Sequence, residues 1–255
     1  MRPSYDSGGT LSHVLRCRPG DVGGYVLLCG DPDRVPRIAS RFTDARVVSQ
    51  VREFRVMTGL VDGVAVSAAS TGIGCPSAVM IVEALIEAGA HTFVRVGTSG
   101  ALQRRVRVGD VVIATAAVRD EGTTRAYVPP EYPAVASHEV VSALVEAAER
   151  LSVRYHVGVV HTKDAFYVEE PDRLPSYASA RRRMEVWERA GVLATEMECS
   201  GIFVVSALRG ARAGAVLAVV GSTVEGRPIV DESAGVDNAI DVAVEAVKIL
   251  ARRGH

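Results

Sequence analysis

Aromatic side chains make up only 5% of the 255 residues although 48% are hydrophobic, so the core has to be built from Val, Ala, Leu and Ile rather than stacked rings. Such a composition suits a sheet covered by helices on both faces. Cysteine is also sparse: Cys17, Cys29, Cys75 and Cys199 stand far apart, with no CxxC pair and no histidine at zinc-ligand spacing. That argues against a metal site or a disulfide framework and leaves four reduced, buried thiols. A formal charge of -1 removes any electrostatic grip on nucleic acid or membrane. The MRPSYDSGG start has no apolar signal core and no run approaches bilayer length, so a cytoplasmic location is expected. No Pro/Ser/Gly linker or shift of composition divides the chain. One domain over residues 10–255 is expected, behind a polar tail at 1–9 expected to be disordered.

What is present centres on Ala68 to Leu102, AASTGIGCPSAVMIVEALIEAGAHTFVRVGTSGAL. A small polar loop, Ser70 to Gly74, follows the apolar run Val64–Ala69. A helix opened by Pro76 has the apolar stripe Val79, Ile81, Val82, Leu85 and Ile86 and ends at Gly89. Then FVRVG carries a lone arginine, Arg95, into Gly97-Thr98-Ser99-Gly100, read as a second glycine-rich turn. In a parallel sheet both turns lie at the carboxyl edge, where open α/β sheets bind ligands. An arginine inside an apolar strand needs an anionic partner.

Further strands are expected at Tyr25–Cys29, within Val47–Thr58, and at Asp110–Val118, Val157–Thr162 and Ala213–Val220. Helices are expected at His138–Arg150, Thr195–Gly210 and Asp237–Arg252. Arg119 to Pro133 reads as a long polar loop, and the charged Glu169–Glu188 as a solvated flap or helix face. The alternation predicts an α/β fold with a twisted, mostly parallel or mixed central sheet flanked by helices. The first strand breaks at Gly30-Asp31-Pro32-Asp33-Arg34, a strand-to-helix turn that suits an anion. Taken together, Gly30, Arg34, Arg95 and Thr98 are the residue types that cradle a phosphate. The TGIG loop is neither a dinucleotide fingerprint nor a P-loop, for it lacks GxGxxG and no GK[ST] follows. Singly, each polar feature has a plainer account: Arg52 and Arg55 as solvated, His13 as surface or core, Glu196 and Glu198 as capping a helix start.

The ordered series GDPDR, REF, STGIGCPS, RVGTSGAL, DAFY and EMECSGIF resembles the nucleoside phosphorylase family that includes uridine phosphorylase and the hexameric purine nucleoside phosphorylases. The resemblance runs from about His13 to the last helix. It implies reversible phosphorolysis of a ribonucleoside to free base and ribose 1-phosphate, with inorganic phosphate as co-substrate and no metal or organic cofactor. It further implies that Gly30, Arg34, Arg95 and Thr98 hold phosphate, joined by Arg52 from a neighbouring subunit. Glu198 and Met197 would hold the ribose, with His13 crossing to the 5′-hydroxyl, and Arg95 and Glu198 would carry the catalysis. Phe166 and Gly100 would contact the base, with Glu170 and Arg173 standing where the uridine enzymes read uracil with Gln and Arg. The implied assembly is a homohexamer, a trimer of dimers with shared sites. The pattern breaks at Val220-Gly221-Ser222-Thr223, which has neither the Ser-Asp of the purine enzymes nor the Asn-Arg of the uridine enzymes. HVGV, MEVWERAGV and REF favour uridine; guanosine, inosine or adenosine is the alternative, ahead of a nucleosidase or a non-catalytic nucleoside-binding protein.

Overall fold

The computed structural model describes residues 14–18, 20–169, 175–222 and 229–254. The tail expected at 1–9, together with His13, Glu170, Arg173 and Thr223, lies outside the described residues.

β1 (Tyr25–Cys29) is buried at every position and gives way at Gly30 to a turn and the short helix α1 (Arg34–Ala39). β2 (Thr43–Val51), β3 (Phe54–Val61) and β4 (Val64–Ser70) form an antiparallel meander. Its second link is Asp62-Gly63, with φ of 49° and 79°, the left-handed pair a two-residue hairpin turn needs. α2 (Cys75–Glu87) has Pro76 in its first turn and stops before Gly89, whose φ of 106° lets the amides of Gly89 and Ala90 return to the carbonyls of Ile86 and Leu85. β5 (Thr92–Ala101), β6 (Val111–Asp120), α3 (Thr123–Tyr127), β7 (Ala134–Val135) and α4 (His138–Arg150) follow. Then come β8 (Tyr155–Lys163), a 3-10 turn at Phe166–Glu169, α5 (Tyr177–Arg189), β9 (Ala194–Glu196), α6 (Cys199–Leu208), β10 (Arg212–Ser222), β11 (Ile229–Val230) and α7 (Val236–Arg252).

The strands form one mixed sheet. β1 lies between β4 and β5, parallel to both. β5 pairs in parallel with β10 along its length, while its far end turns antiparallel onto β9. β10 runs antiparallel to β6, β6 parallel to β8, and β8 parallel to β9. The strands β5, β10, β6, β8 and β9 therefore close on themselves into a small barrel, and β1, β4, β3 and β2 extend from β5 as an open wing. α2 and α6 cover one face with Val82, Leu85, Ile202 and Phe203. α1, α4 and α7 cover the other with Ile38, Leu144, Ile240 and Leu250. Fully burying one such side chain contributes about 1.5–3 kcal/mol, whereas exposed ion pairs such as Arg37–Asp237 contribute about 0–1 kcal/mol. Layer packing, not surface charge, therefore holds α7 in place.

Three local expectations change. Gly97–Gly100 is not a turn: β5 continues to Ala101, because β10 and β9 supply hydrogen-bonded neighbours on its two edges. Thr195 and Glu196 belong to strand β9 rather than to the helix expected from Thr195, since β5 and β8 flank them, and α6 starts only at Cys199. The loop after β6 is ordered by Arg119, whose guanidinium donates to Thr124 Oγ1 (2.9 Å) and to the carbonyls of Val128 (3.0 Å), Pro129 (2.8 Å) and Tyr132.

Candidate active site

The ends of β1 and β4, the second half of β5, and the start of α6 surround a cavity of about 1310 Å³. Of the expected site residues, Gly30, Arg34, Arg95, Thr98, Gly100, Phe166, Met197 and Glu198 all line it. Arg52 does not: it is exposed at the β2–β3 turn, where its φ of 54° closes the tight link. Its neighbour Glu53 lines the cavity instead.

Arg95 is 4% exposed and is held between two carboxylates. Its Nε donates to Glu196 Oε2 at 3.0 Å, and Nη2 pairs with Glu198 Oε2. Burial disfavours the charged guanidinium, but Glu198 and Glu196 outweigh it and push its pKa up, so the cation is fixed. Nη1 has no partner among the described residues. A buried guanidinium with one donor unspent at a cavity wall is a receptor for an anion. Arg34, half-buried on the same cavity, has no carboxylate partner among the described residues.

Gly97 makes this arrangement possible. A Cβ there would lie 2.9 Å from Arg95 Cζ and 2.7 Å from Leu217 Cδ2, so the space beside the strand belongs to the guanidinium.

Glu196 is a site residue that the sequence reading took only for a helix cap. Besides Arg95 it accepts from the amides of Glu198 (2.8 Å) and Cys199 (3.0 Å) and from the Thr162 hydroxyl, so it does cap the α6 start as well. The signal available in sequence was the Glu-x-Glu spacing, which on an extended backbone puts both carboxylates on one face. Glu198 Oε1 also accepts from Gly74 N–H at 2.6 Å, an amide aimed by a φ of 88° that favours glycine. Burial pushes the Glu198 carboxyl above its ordinary range, and Glu196 adds to this against the pull of Arg95. Met197 sits half-buried between the two glutamates.

Phe166, also on the cavity, is 61% exposed and edge-on to Tyr167 at 5.4 Å. Lys163, at the end of β8, is buried, with its ammonium 5.7 Å from the Phe166 ring centroid. Gly100 pairs with Thr195 across the β5–β9 ladder. Thr195 Oγ1 is 3.1 Å from His161 Nδ1, and His161 Nε2 is 3.1 Å from Asp120 Oδ2. Arg183 on α5 donates to the other Asp120 oxygen at 2.7 Å. Burial alone would raise the Asp120 pKa, but His161 and Arg183 outweigh it and hold it below the ordinary range. Within the charged segment expected as a solvated flap or helix face, α5 forms a helix whose Arg181, Met184, Glu185 and Glu188 line the cavity. Val220, Gly221 and Ser222 complete the lining at the end of β10, and bring no carboxylate there.

The family model described as the phosphorylase superfamily matches residues 25–253. The chain is 45% identical over 255 residues to uridine phosphorylase of Thermococcus kodakarensis, covering 98% of this chain and 90% of that protein. It is 45% identical over 236 residues to uridine phosphorylase of Treponema pallidum, covering 91% and 92%. With guanosine phosphorylase of Halorubrum lacusprofundi the identity is 41% over 214 residues, covering 84% of each.

Proposed function

The chain belongs to the phosphorylase superfamily, and on that footing we propose that it catalyses reversible phosphorolysis of a ribonucleoside, uridine foremost, giving free base and ribose 1-phosphate. The observation that carries this reading is Arg95, clamped by Glu196 and Glu198 with Nη1 unpartnered among the described residues, on a cavity shared with Gly30, Arg34 and Thr98.

Phosphate would bind to Arg95 Nη1, Arg34, Thr98 and the Gly30 backbone, with Arg52 supplied by a neighbouring subunit. Cleavage of the glycosidic bond builds positive charge on the ribose ring, as in other oxocarbenium-like transition states. A phosphate dianion beside the anomeric carbon stabilises that charge and attacks the carbon. Holding both reactants in one cavity contributes about 7–11 kcal/mol in favourable cases. Glu198 keeps lone pairs for the ribose hydroxyls beyond those given to Arg95 and Gly74, and its charge faces the developing cation. Met197 packs under the sugar, His13 reaches its 5′-hydroxyl from a partner subunit, and Phe166 covers the base. Gly100, Glu170 and Arg173 read the base edge. Phosphate serves as co-substrate and the chemistry requires no further cofactor; the active form is a cytoplasmic homohexamer, a trimer of dimers with shared sites.

Guanosine is the second reading. It is supported by the Halorubrum relative and by Glu170, an acceptor that suits a base edge rich in donors.

Base release from a nucleoside panel, with and without phosphate and with ribose 1-phosphate quantified, tests the proposal. Release from uridine only in the presence of phosphate is expected. Release that ignores phosphate would point to a nucleosidase, and binding without release to a sensor; either would overturn the reading.

A further inference from the structure

Thr162 on β8 is fully buried and lies directly across the ladder from Glu196 on β9, yet it does not line the cavity. Its hydroxyl carries a single proton, and its neighbours fix where that proton goes. The Ser200 amide can only donate, and it reaches Thr162 Oγ1 at 3.1 Å. The proton is therefore spent on Glu196 Oε1. Ser200 is held in turn: its own hydroxyl donates to Oε1 of the buried Glu121 at 3.1 Å, and Glu121 Oε2 accepts from the Thr124 amide at 2.9 Å.

Glu196 thus takes donors from two elements. The Cys199 amide, 3.1 Å from Oε1, and the Glu198 amide, 2.8 Å from Oε2, come from the start of α6, whereas Thr162 comes from β8. A carboxylate held from the helix start alone could still tilt about that end; a donor on a second strand removes this freedom. Oε2 is then left facing Arg95 Nε at 3.0 Å. A guanidinium is a rigid plane, so fixing Nε on Glu196 and Nη2 on Glu198 also fixes the direction of Nη1, the nitrogen without a partner among the described residues.

We propose that Thr162 is a positioning residue for the phosphate site: by locking the Glu196 carboxylate it aims Arg95 Nη1, without touching either reactant. This rests on the phosphorolysis reading and on Arg95 as the phosphate receptor. Without the hydroxyl, Glu196 loses a charge-assisted hydrogen bond and turns, and Arg95 keeps its charge but loses its aim. Phosphate, recognised by the direction of N–H donors, depends on that aim. The ribose, placed by Glu198 and Met197 in this reading, depends on it less.

The test is steady-state phosphorolysis of the preferred nucleoside by wild type, Thr162→Val and Thr162→Ser, with phosphate and nucleoside varied in turn. The rise in melting temperature produced by inorganic phosphate alone is measured alongside. Valine nearly matches threonine in shape and removes only the hydroxyl. Thr162→Val is expected to raise the phosphate KM on the order of 10-fold, the scale of losing a group that orients a metal ligand from behind. The nucleoside KM should change far less, and the stabilisation by phosphate should shrink. Thr162→Ser restores the hydroxyl and should return both phosphate readouts toward wild type. A hydroxyl that served only the core would lower stability in Thr162→Val without separating the two KM values. Thr162→Cys, similar in size with a weaker donor, gives the same comparison if valine leaves too little folded protein. A wild-type phosphate KM in Thr162→Val, an equal rise in both KM values, or serine no better than valine would overturn the proposal while leaving phosphorolysis intact. A wild type that phosphate does not stabilise, and that releases base without it, would overturn both.

Discussion

The guanidinium of Arg95 fills the space that a side chain on Gly97 would need, two residues along the same strand and on the same face. The glycine that looks like a turn residue in sequence is a packing partner of the clamped arginine. Gly97→Ala is expected to displace Arg95 or Leu217 and to cost about 1–3 kcal/mol, the usual range for overpacking. The phosphate KM should rise more than the nucleoside KM. Denaturant unfolding and initial rates check both, and an alanine variant with unchanged phosphate KM would contradict the assignment.

Arg95→Ala removes the cation between two buried carboxylates, so the geometry predicts a loss of stability together with the loss of activity. Leaving an uncompensated buried charge costs about 3–5 kcal/mol. Glu198 is already raised, first by burial, and rises further without the guanidinium. A folded pKa above the unfolded one gives stability that is complete below the unfolded value and lost as pH rises through the folded one. The penalty of Arg95→Ala should therefore be smaller at mildly acidic pH than at neutral pH, as read from thermal unfolding across that range.

Glu196→Gln keeps the shape and most of the hydrogen bonds to the α6 start but removes one charge facing Arg95. Glu196 touches Arg95 rather than the reacting atoms in this reading, so it is a positioning residue. The expected result is a raised phosphate KM with kcat reduced less than in Glu198→Gln, whose carboxylate faces the ribose in the proposed reading. A steady-state comparison of the two variants distinguishes them.

Asp120 titrates below the ordinary carboxylate range because His161 and Arg183 outweigh the effect of burial. Such a group adds stability that is present above the unfolded carboxylate pKa and lost as pH falls through the depressed folded value. The stability gap between wild type and Asp120→Asn should be constant near neutral pH and close in acid. Thermal unfolding of both proteins over a pH series measures it.

Arg52 is exposed and outside the cavity lining of its own subunit, as a donor to a neighbouring site would be. If it acts across the interface, Arg52→Ala and Arg95→Ala oligomers are each impaired, and hybrids formed by mixing and refolding them recover activity. On that reading the intact site of such a hybrid would pair Arg95 of one subunit with Arg52 of the other. Absence of recovery in verified hybrids would place Arg52 outside the phosphate site.

The helices with strong amphipathic periodicity were legible from sequence: α4 falls on His138–Arg150, and α7 and α2 within a residue or two of expectation. The strands β1, β4 and β10 were equally plain as apolar runs bounded by polar turns. What local pattern could not show was pairing. Gly97 and Gly100 look like breakers until β10 and β9 are placed beside them, and three residues of β9 are too few to outweigh the helical run that follows. In the site, Arg95 announced itself as a cation in an apolar strand, but its two carboxylates did not. Glu196 and Glu198 meet it only through barrel closure, and Lys163 gave no signal beyond ending a strand.

The closure of β5 through β9 and β10 also bears on how the protein acquires its activity. Arg95 and Glu196 are 101 residues apart in sequence, and Gly74 and Glu198 are 124 apart. Contacts of that separation form late and slow folding, because long loops must be closed before they are rewarded. No half of the barrel holds a clamped Arg95. On refolding from denaturant, helical signal should return before catalysis, and phosphate binding should appear only with the final rise in β-sheet signal.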